Sequence, residues 1–189
     1  MQIFLDDQDY LRFIGFLGDV VEKFEIECWN YCVMPNHYHA TLRPAKANFS
    51  EAMRELNGNY AQWWNRRHRR VGHAFQGRFK DQIVDTDEYL LVLSRYIALN
   101  PVRAGLTQTP EQWRWSSYAA TIGLQPAPSF LSVGFVLGQF GNEEPEILRK
   151  RFADYVEGHN EDQAADDRIR SNAKILGNKA FRRRIEGRG

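Results

Sequence analysis

The spacing of hydrophobic positions changes period once in the first quarter of the chain. Leu11, Ile14, Leu17, Val21 and Phe24 recur three and four apart, as on one face of a helix, and Asp6 or Asp7 stands where an N-cap belongs. From Glu25 to Val33 aromatic and β-favouring residues take over (Ile26, Trp29, Tyr31, Val33), which predicts a strand. The corner Met34-Pro35-Asn36 turns that strand into a second, alternating one, so the pair reads as a β-hairpin followed by a loop over Arg43 to Ala47. In the second strand His37, His39, Thr41 and Arg43 share one face, and Tyr38, Ala40 and Leu42 the other. One face is apolar enough to bury; the other brings two imidazoles within reach of a single metal ion.

Further along, Asn48 with Glu51 three residues on has the form of a capping box. The helix it opens carries Phe49, Met53, Leu56, Tyr60, Trp63 and Arg67 on successive turns. Gly72 and Gly77 flank a loop, and Phe79 to Val84 reads as a short strand. Thr86 is the expected cap of a helix over Asp87 to Leu99, with Asp87 and Glu88 suited to its N-terminal dipole. Tyr89, Leu93, Tyr96 and Asn100 share a face of it, and Pro101 is expected to stop it. Pro110 to Tyr118 predicts a short helix, Gln125 to Pro128 a linker, and Pro145 to Val156 and Ile169 to Ile185 two more helices. There is no internal repeat. The expected class is α+β: an antiparallel sheet with helices over residues 1–125 and a helical C-terminal extension over 126–189.

Composition narrows the setting. The 189 residues, 43% hydrophobic and 13% aromatic, suffice for one ordinary domain with a real core plus an extension. No apolar run reaches the roughly 18 residues a membrane span requires. Met1 to Asp7 has neither a basic region nor a signal-like apolar core, so a cytoplasmic location is expected. Cys28 and Cys32, four apart on one strand, stand too far apart to bridge and are expected as buried thiols.

A net charge of +1 hides an uneven distribution. No carboxylate lies between Glu55 and Asp81, an interval that holds Arg66, Arg67, Arg69, Arg70, Arg78 and Lys80 interleaved with Trp63, Trp64, Phe75 and Phe79. Basic groups mixed with flat rings suit a grip on single-stranded nucleic acid. The same band equally describes a solvated helix end followed by a loop.

A tyrosine hydroxyl, with a pKa of about 10, is a poor nucleophile unless it or its target is activated. A divalent cation activates the target by withdrawing charge from a phosphodiester and stabilising the departing 3′ oxygen. Two imidazoles leave most of its coordination sphere open, and an amide oxygen one helical turn from the nucleophile can supply a third ligand. Tyr96 and Asn100 have that relation. The candidate site is therefore His37, His39 and Asn100 on the metal, with Tyr96 attacking the phosphate to leave a 5′-phosphotyrosine and a free 3′ hydroxyl. Each part also has a structural counterpart. Tyr96 can be a core tyrosine with its hydroxyl bonded, Asn100 a cap ahead of Pro101, and Trp113 and Trp115 packing residues. His73 is assigned no role.

Cys32-Val33-Met34-Pro35-Asn36-His37-Tyr38-His39 resembles the His-hydrophobic-His motif of the IS200-like, single-tyrosine transposases. Phe75-Gln76-Gly77-Arg78-Phe79-Lys80 resembles that family's next landmark. Arg95 to Gly105, followed by Trp115-Ser116-Ser117-Tyr118, is similar to its REP-associated branch. These landmarks stand in the family's order over about residues 3 to 120.

The resemblance implies a ferredoxin-like α/β sandwich that recognises DNA hairpins and cuts single-stranded DNA with Mg²⁺ or Mn²⁺. It implies His37 and His39 as metal ligands, Tyr96 as nucleophile and Asn100 at the third-ligand position, where many IS200-type relatives carry glutamine. Relatives have a further β-strand ahead of the segment matching Gln2 to Asp7, central in their sheet. Its absence here implies an upstream start, a rebuilt sheet with an open edge beside the His strand, or a copy without activity.

The leading expectation is thus a metal-dependent transposase of the tyrosine HUH type, acting on single-stranded or hairpin DNA as a homodimer or a monomer. Arg66, Arg67, Arg69, Arg70, Arg78, Lys80 and Arg103 are its candidate phosphate contacts. The alternatives are a DNA-hairpin-binding protein of the same fold without catalysis, and a metallohydrolase that activates water at the histidine pair.

Overall fold

The computed structural model of the chain describes residues 2–75, 79–158, 163–171 and 174–186. Helix α1 spans Asp7–Lys23, and Asp6 caps it by accepting from the backbone N–H groups of Gln8 and Asp9. Its buried face is turned from the expected one: Tyr10, Phe13, Leu17, Val20 and Val21 are inside, whereas Leu11 is 57% exposed. Strands β1 (Ile26–Met34) and β2 (His37–Pro44) form the antiparallel hairpin, joined by the two-residue corner Pro35-Asn36.

The register slips once. Cys28 lies opposite Leu42 and Asn30 opposite Thr41, so Trp29 is the extra residue of a bulge. The bulge rephases the strand. Cys28 and Tyr31 both pack into the core under α1, whereas Cys32 joins the core on the other face. The two thiols are free and buried, on opposite sides of the sheet.

Helix α2 (Phe49–Arg67) packs with α1 on one face of the hairpin, around Phe13, Leu56, Tyr60 and Trp64. Asn48 occupies its N-cap position but forms no capping box; its amide donates to Phe24 O instead. Strand β3 is shorter than expected, Ile83–Val84 alone. Helix α3 (Thr86–Arg103) covers the opposite face, with Asp85 rather than Thr86 at its N-cap position. The sheet is thus sandwiched between α1/α2 and α3, in the α+β class read from the sequence.

Pro101 does not stop α3. It sits inside the helix, which runs to Arg103. A proline costs one backbone bond, and the end of this helix is closed by others: Leu106 N donates to Pro101 O, and Gly105 N to Val102 O. With Gly105 at φ +68°, this is a Schellman closure. Asn100 is therefore an interior helical residue and not a cap.

After α3 come a 3-10 turn (Pro110–Gln112) and helix α4 (Tyr118–Thr121), where one short helix was expected. Helices α5 (Val133–Leu137) and α6 (Pro145–Glu157) pack against Trp29, Leu90 and Ala98. The expected helix over Ile169 to Ile185 is broken into α7 (Gln163–Arg170), β4 (Ile175–Leu176) and α8 (Lys179–Glu186). Strand β4 pairs in parallel with β3, and Ile169 and Leu176 pack beside Leu93 and Tyr96.

The two edges of the hairpin differ. β1 is covered by Leu131 and Ser116, with Val33 N bonded to Trp115 O and Ser117 N to Tyr31 O. The outer edge of β2 makes no backbone hydrogen bond to any other described residue. No helix among the described residues is long and apolar enough to cross a membrane.

Candidate active site

The site is built on the first residues of β2. Pro35 O accepts the N–H groups of Ile3 and Phe4, which pins the corner before it. His37 Nδ1–H donates to Asn36 Oδ1 at 2.6 Å, leaving the lone pair on Nε2. That lone pair points at His39: the two Nε2 atoms are 3.0 Å apart and the rings stand at 89°. Burial pushes the His37 imidazole below its ordinary pKa. Burial, and then the neighbouring His37, push His39 down to about 4. Both rings are thus neutral near pH 7, the form that ligates metal. Two ligands at about 2.1 Å from one ion and at right angles stand about 3.0 Å apart, so the pair fits a shared octahedral cation.

Helix α3 brings Tyr96 to the same place. Its ring lies 5.9 Å from that of His39, edge to face at 86°, and the residue is 8% exposed. The phenol is therefore on the histidine side of the sheet. Asn100, one turn on, donates through Nδ2 to Tyr96 O at 2.9 Å, and its Oδ1 has no partner among the described residues. The Arg103 guanidinium lies over the Tyr96 ring, 5.2 Å from its centre. Among the described residues no group of three or more His, Cys, Asp or Glu could hold a metal, so within them a third protein ligand would be of another type. An amide oxygen such as that of Asn100 meets this requirement.

A buried polar bridge holds the helix in register. Thr41 Oγ1 donates to Asn30 Oδ1, and Asn30 Nδ2 donates to Ser94 Oγ, each at 2.8 Å. Both strands are thereby tied to the helical turn that carries Tyr96. Neither Asn30 nor Ser94 was singled out from the sequence, and Asn36 was read only as part of the corner and motif before the histidines. The available signals were an amide inside a strand otherwise fully apolar after Glu27, and an amide directly ahead of the histidine pair.

Apart from Arg103, the described basic residues do not converge on this site. Arg66, Arg69 and Arg70 are exposed at the end of α2, across the sheet from Tyr96, and have no ion pair with a described residue. Arg67 is bound internally, to Asp6 at 2.7 Å and to the buried Asp9. Lys80 is exposed beside Phe79, whose ring packs on Phe49. Arg78 and Gly77 lie outside the described residues. Trp113 and Trp115 pack: Trp115 stacks on Tyr10 at 4.6 Å, and Trp113 donates to Val33 O.

In this α+β sandwich the paired histidines of β2 face the helix that carries Tyr96. The family model "Transposase IS200 like" matches residues 2–100, more than half of the chain. The chain belongs to the IS200-like transposase family. No curated protein and no solved structure matches it.

Proposed function

We propose that this family member is a metal-dependent DNA strand transferase, closest to the REP-associated branch, that cleaves and rejoins single-stranded or hairpin DNA through a 5′-phosphotyrosine. The observation that carries the reading is the meeting of Tyr96 with His39, whose Nε2 lies 3.0 Å from that of His37. His37 and His39, with Asn100 as third ligand, would hold Mg²⁺ or Mn²⁺. Such an ion withdraws charge from the scissile phosphodiester and stabilises the departing oxygen.

The chain's own groups do the rest. The Tyr96 hydroxyl oxygen attacks phosphorus and its proton passes to solvent. The bond from phosphorus to the 3′ oxygen breaks, and that oxygen leaves as a hydroxyl after taking up a proton. Rejoining runs the same exchange backwards with a 3′ hydroxyl as nucleophile. The Arg103 guanidinium over the Tyr96 ring supplies positive charge beside the reacting phosphate. Arg66, Arg69, Arg70 and Lys80 contact the backbone of the bound strand and position it without reading sequence.

The test is incubation with a labelled hairpin oligonucleotide and Mn²⁺. A covalent protein–DNA adduct is expected, absent in Tyr96→Phe and on removal of the metal by chelation. Cleavage that continues unchanged in Tyr96→Phe removes Tyr96 as nucleophile.

A further inference from the structure

On the solvent side of α1 and α2, facing away from the sheet and from Tyr96, lies an open groove of about 420 Å³. Gln8, Leu11, Arg12 and Gly15 of α1 form one wall, Trp63 and Arg67 of α2 the other. Its composition is not that of an ordinary solvated helix surface. Leu11 exposes 57% of its surface there, and the Trp63 ring is only partly buried. The Arg12 guanidinium is exposed and reaches no carboxylate among the described residues. It lies between the rings of Phe16 and Trp63, 5.5 and 5.7 Å from their centres. Arg67 approaches Trp63 at 5.5 Å.

The charged residues that line the groove, Arg12 and Arg67, are both cationic. The acidic residues at the start of α1 are partnered: Asp6 and Asp9 share Arg67, and Asp7 pairs with Arg114. Arg12, Arg66, Arg69 and Arg70 have no such partner among the described residues. The α1 wall of the groove is also open. At Gly15 nothing lies within 4 Å of where a Cβ would stand.

A ligand suited to this groove is flat, apolar on its faces and anionic along one side. We infer that the α1/α2 groove binds unpaired nucleotides of single-stranded DNA, one base stacking at Trp63 and its phosphate meeting Arg12. Duplex DNA does not fit this description, because its bases are stacked inside. The site is separate from the Tyr96 centre, on the other side of the sheet. It would hold a single-stranded flank of the DNA that centre acts on, and to that extent it rests on the function proposed above.

The decisive variant is Gly15→Glu. It adds a carboxylate to the groove in a helical position with free space, so it leaves packing untouched and raises helix propensity. Binding of a fluorescent short oligothymidylate, followed by anisotropy, is expected to weaken about tenfold or more in Gly15→Glu and in Trp63→Ala. Trp63→Phe, which keeps a flat ring, should stay within about threefold of wild type. A blunt hairpin without flanks should bind all variants alike, and adduct formation at Tyr96 with saturating hairpin should persist in Gly15→Glu.

Oligothymidylate binding unchanged in Gly15→Glu overturns the site. So does an equal weakening for blunt hairpin and oligothymidylate, which would indicate a general charge effect. Loss of the Tyr96 adduct in the wild-type protein, with groove-dependent oligothymidylate binding intact, would instead refute the strand-transfer reading and leave the groove standing.

Discussion

His37 and His39 present their Nε2 atoms to each other at 3.0 Å because Asn36 Oδ1 holds the opposite edge of the His37 ring. Asn36 is thus the residue that fixes the tautomer. A partner of this kind raises ligand basicity and orientation, and its removal commonly lowers metal affinity about 10- to 100-fold. Calorimetric titration with Mn²⁺ should show that drop in Asn36→Ala, and no measurable binding in His37→Ala or His39→Ala. Equal Mn²⁺ affinity in Asn36→Ala and wild type would mean the amide plays no part in aiming the ring.

The depressed His39 pKa has a consequence for the metal-free protein. The folded value lies at about 4 and the unfolded one at about 6.5, so between these limits the unfolded chain binds more protons than the folded one. Stability from this residue is complete above pH 6.5 and is lost as pH falls towards 4. Urea unfolding with a chelator present should show this fall between pH 6.5 and 4, and His39→Gln should flatten it. An identical pH profile in His39→Gln would place the titrating group elsewhere.

The Asn30 bridge links the stability of the sandwich to the position of Tyr96. Asn30→Ala strands the Thr41 and Ser94 hydroxyls in a buried site, Thr41 being 8% and Ser94 1% exposed. A stability loss of about 2 kcal/mol is expected from the unmet partners, together with a slower adduct-forming step as α3 loses its tie to the strands. Thermal unfolding and single-turnover adduct kinetics measure the two effects. A variant that is destabilised but forms the adduct at the wild-type rate would confine the bridge to a structural role.

Local patterns in the sequence carried the hairpin, the histidine face and α2 almost to the residue. The Pro-Asn corner and the alternation of Tyr38, Ala40 and Leu42 leave little freedom once one face must be buried. Helix period placed Tyr96 and Asn100 on one face, and the family motif alone implied that Tyr96 meets the histidine pair. What failed were readings that treated one residue as decisive. Pro101 reads as a helix stop, yet it forfeits only its own backbone bond and the helix ends two residues later, at the Schellman closure on Gly105. Asn48 reads as the start of a capping box, yet its side chain turns to Phe24 O.

Tertiary facts were out of reach for a different reason. The Trp29 bulge sets which face each cysteine takes, and nothing local to the strand announces it. The break between α7 and α8 follows from pairing of Ile175 and Leu176 with Ile83 and Val84, some ninety residues away. The basic band likewise read as one surface. In the fold it divides, with Arg67 turned inward to Asp6 and Asp9 and its neighbours left at the surface.

That division separates two kinds of arginine by experiment. Asp9 is fully buried and accepts from Leu5 N at 2.8 Å, from His68 Nε2 at 3.0 Å and from Arg67, tying the start of α1 to the end of α2. Asp9→Ala leaves those donors facing a buried void and should cost about 3 kcal/mol, a fall in Tm of roughly 6–12 °C. Arg67→Ala should lower Tm as well, whereas Arg66→Ala and Arg70→Ala should leave it unchanged. DNA binding should reverse the order. Each of Arg66→Ala and Arg70→Ala should reduce the steepness of the salt dependence by about one phosphate contact, and Arg67→Ala should leave that slope nearly as it was. If Arg67→Ala flattens the slope and spares Tm, Arg67 meets DNA as the unbroken basic run suggested, and the contact with Asp9 is incidental to it.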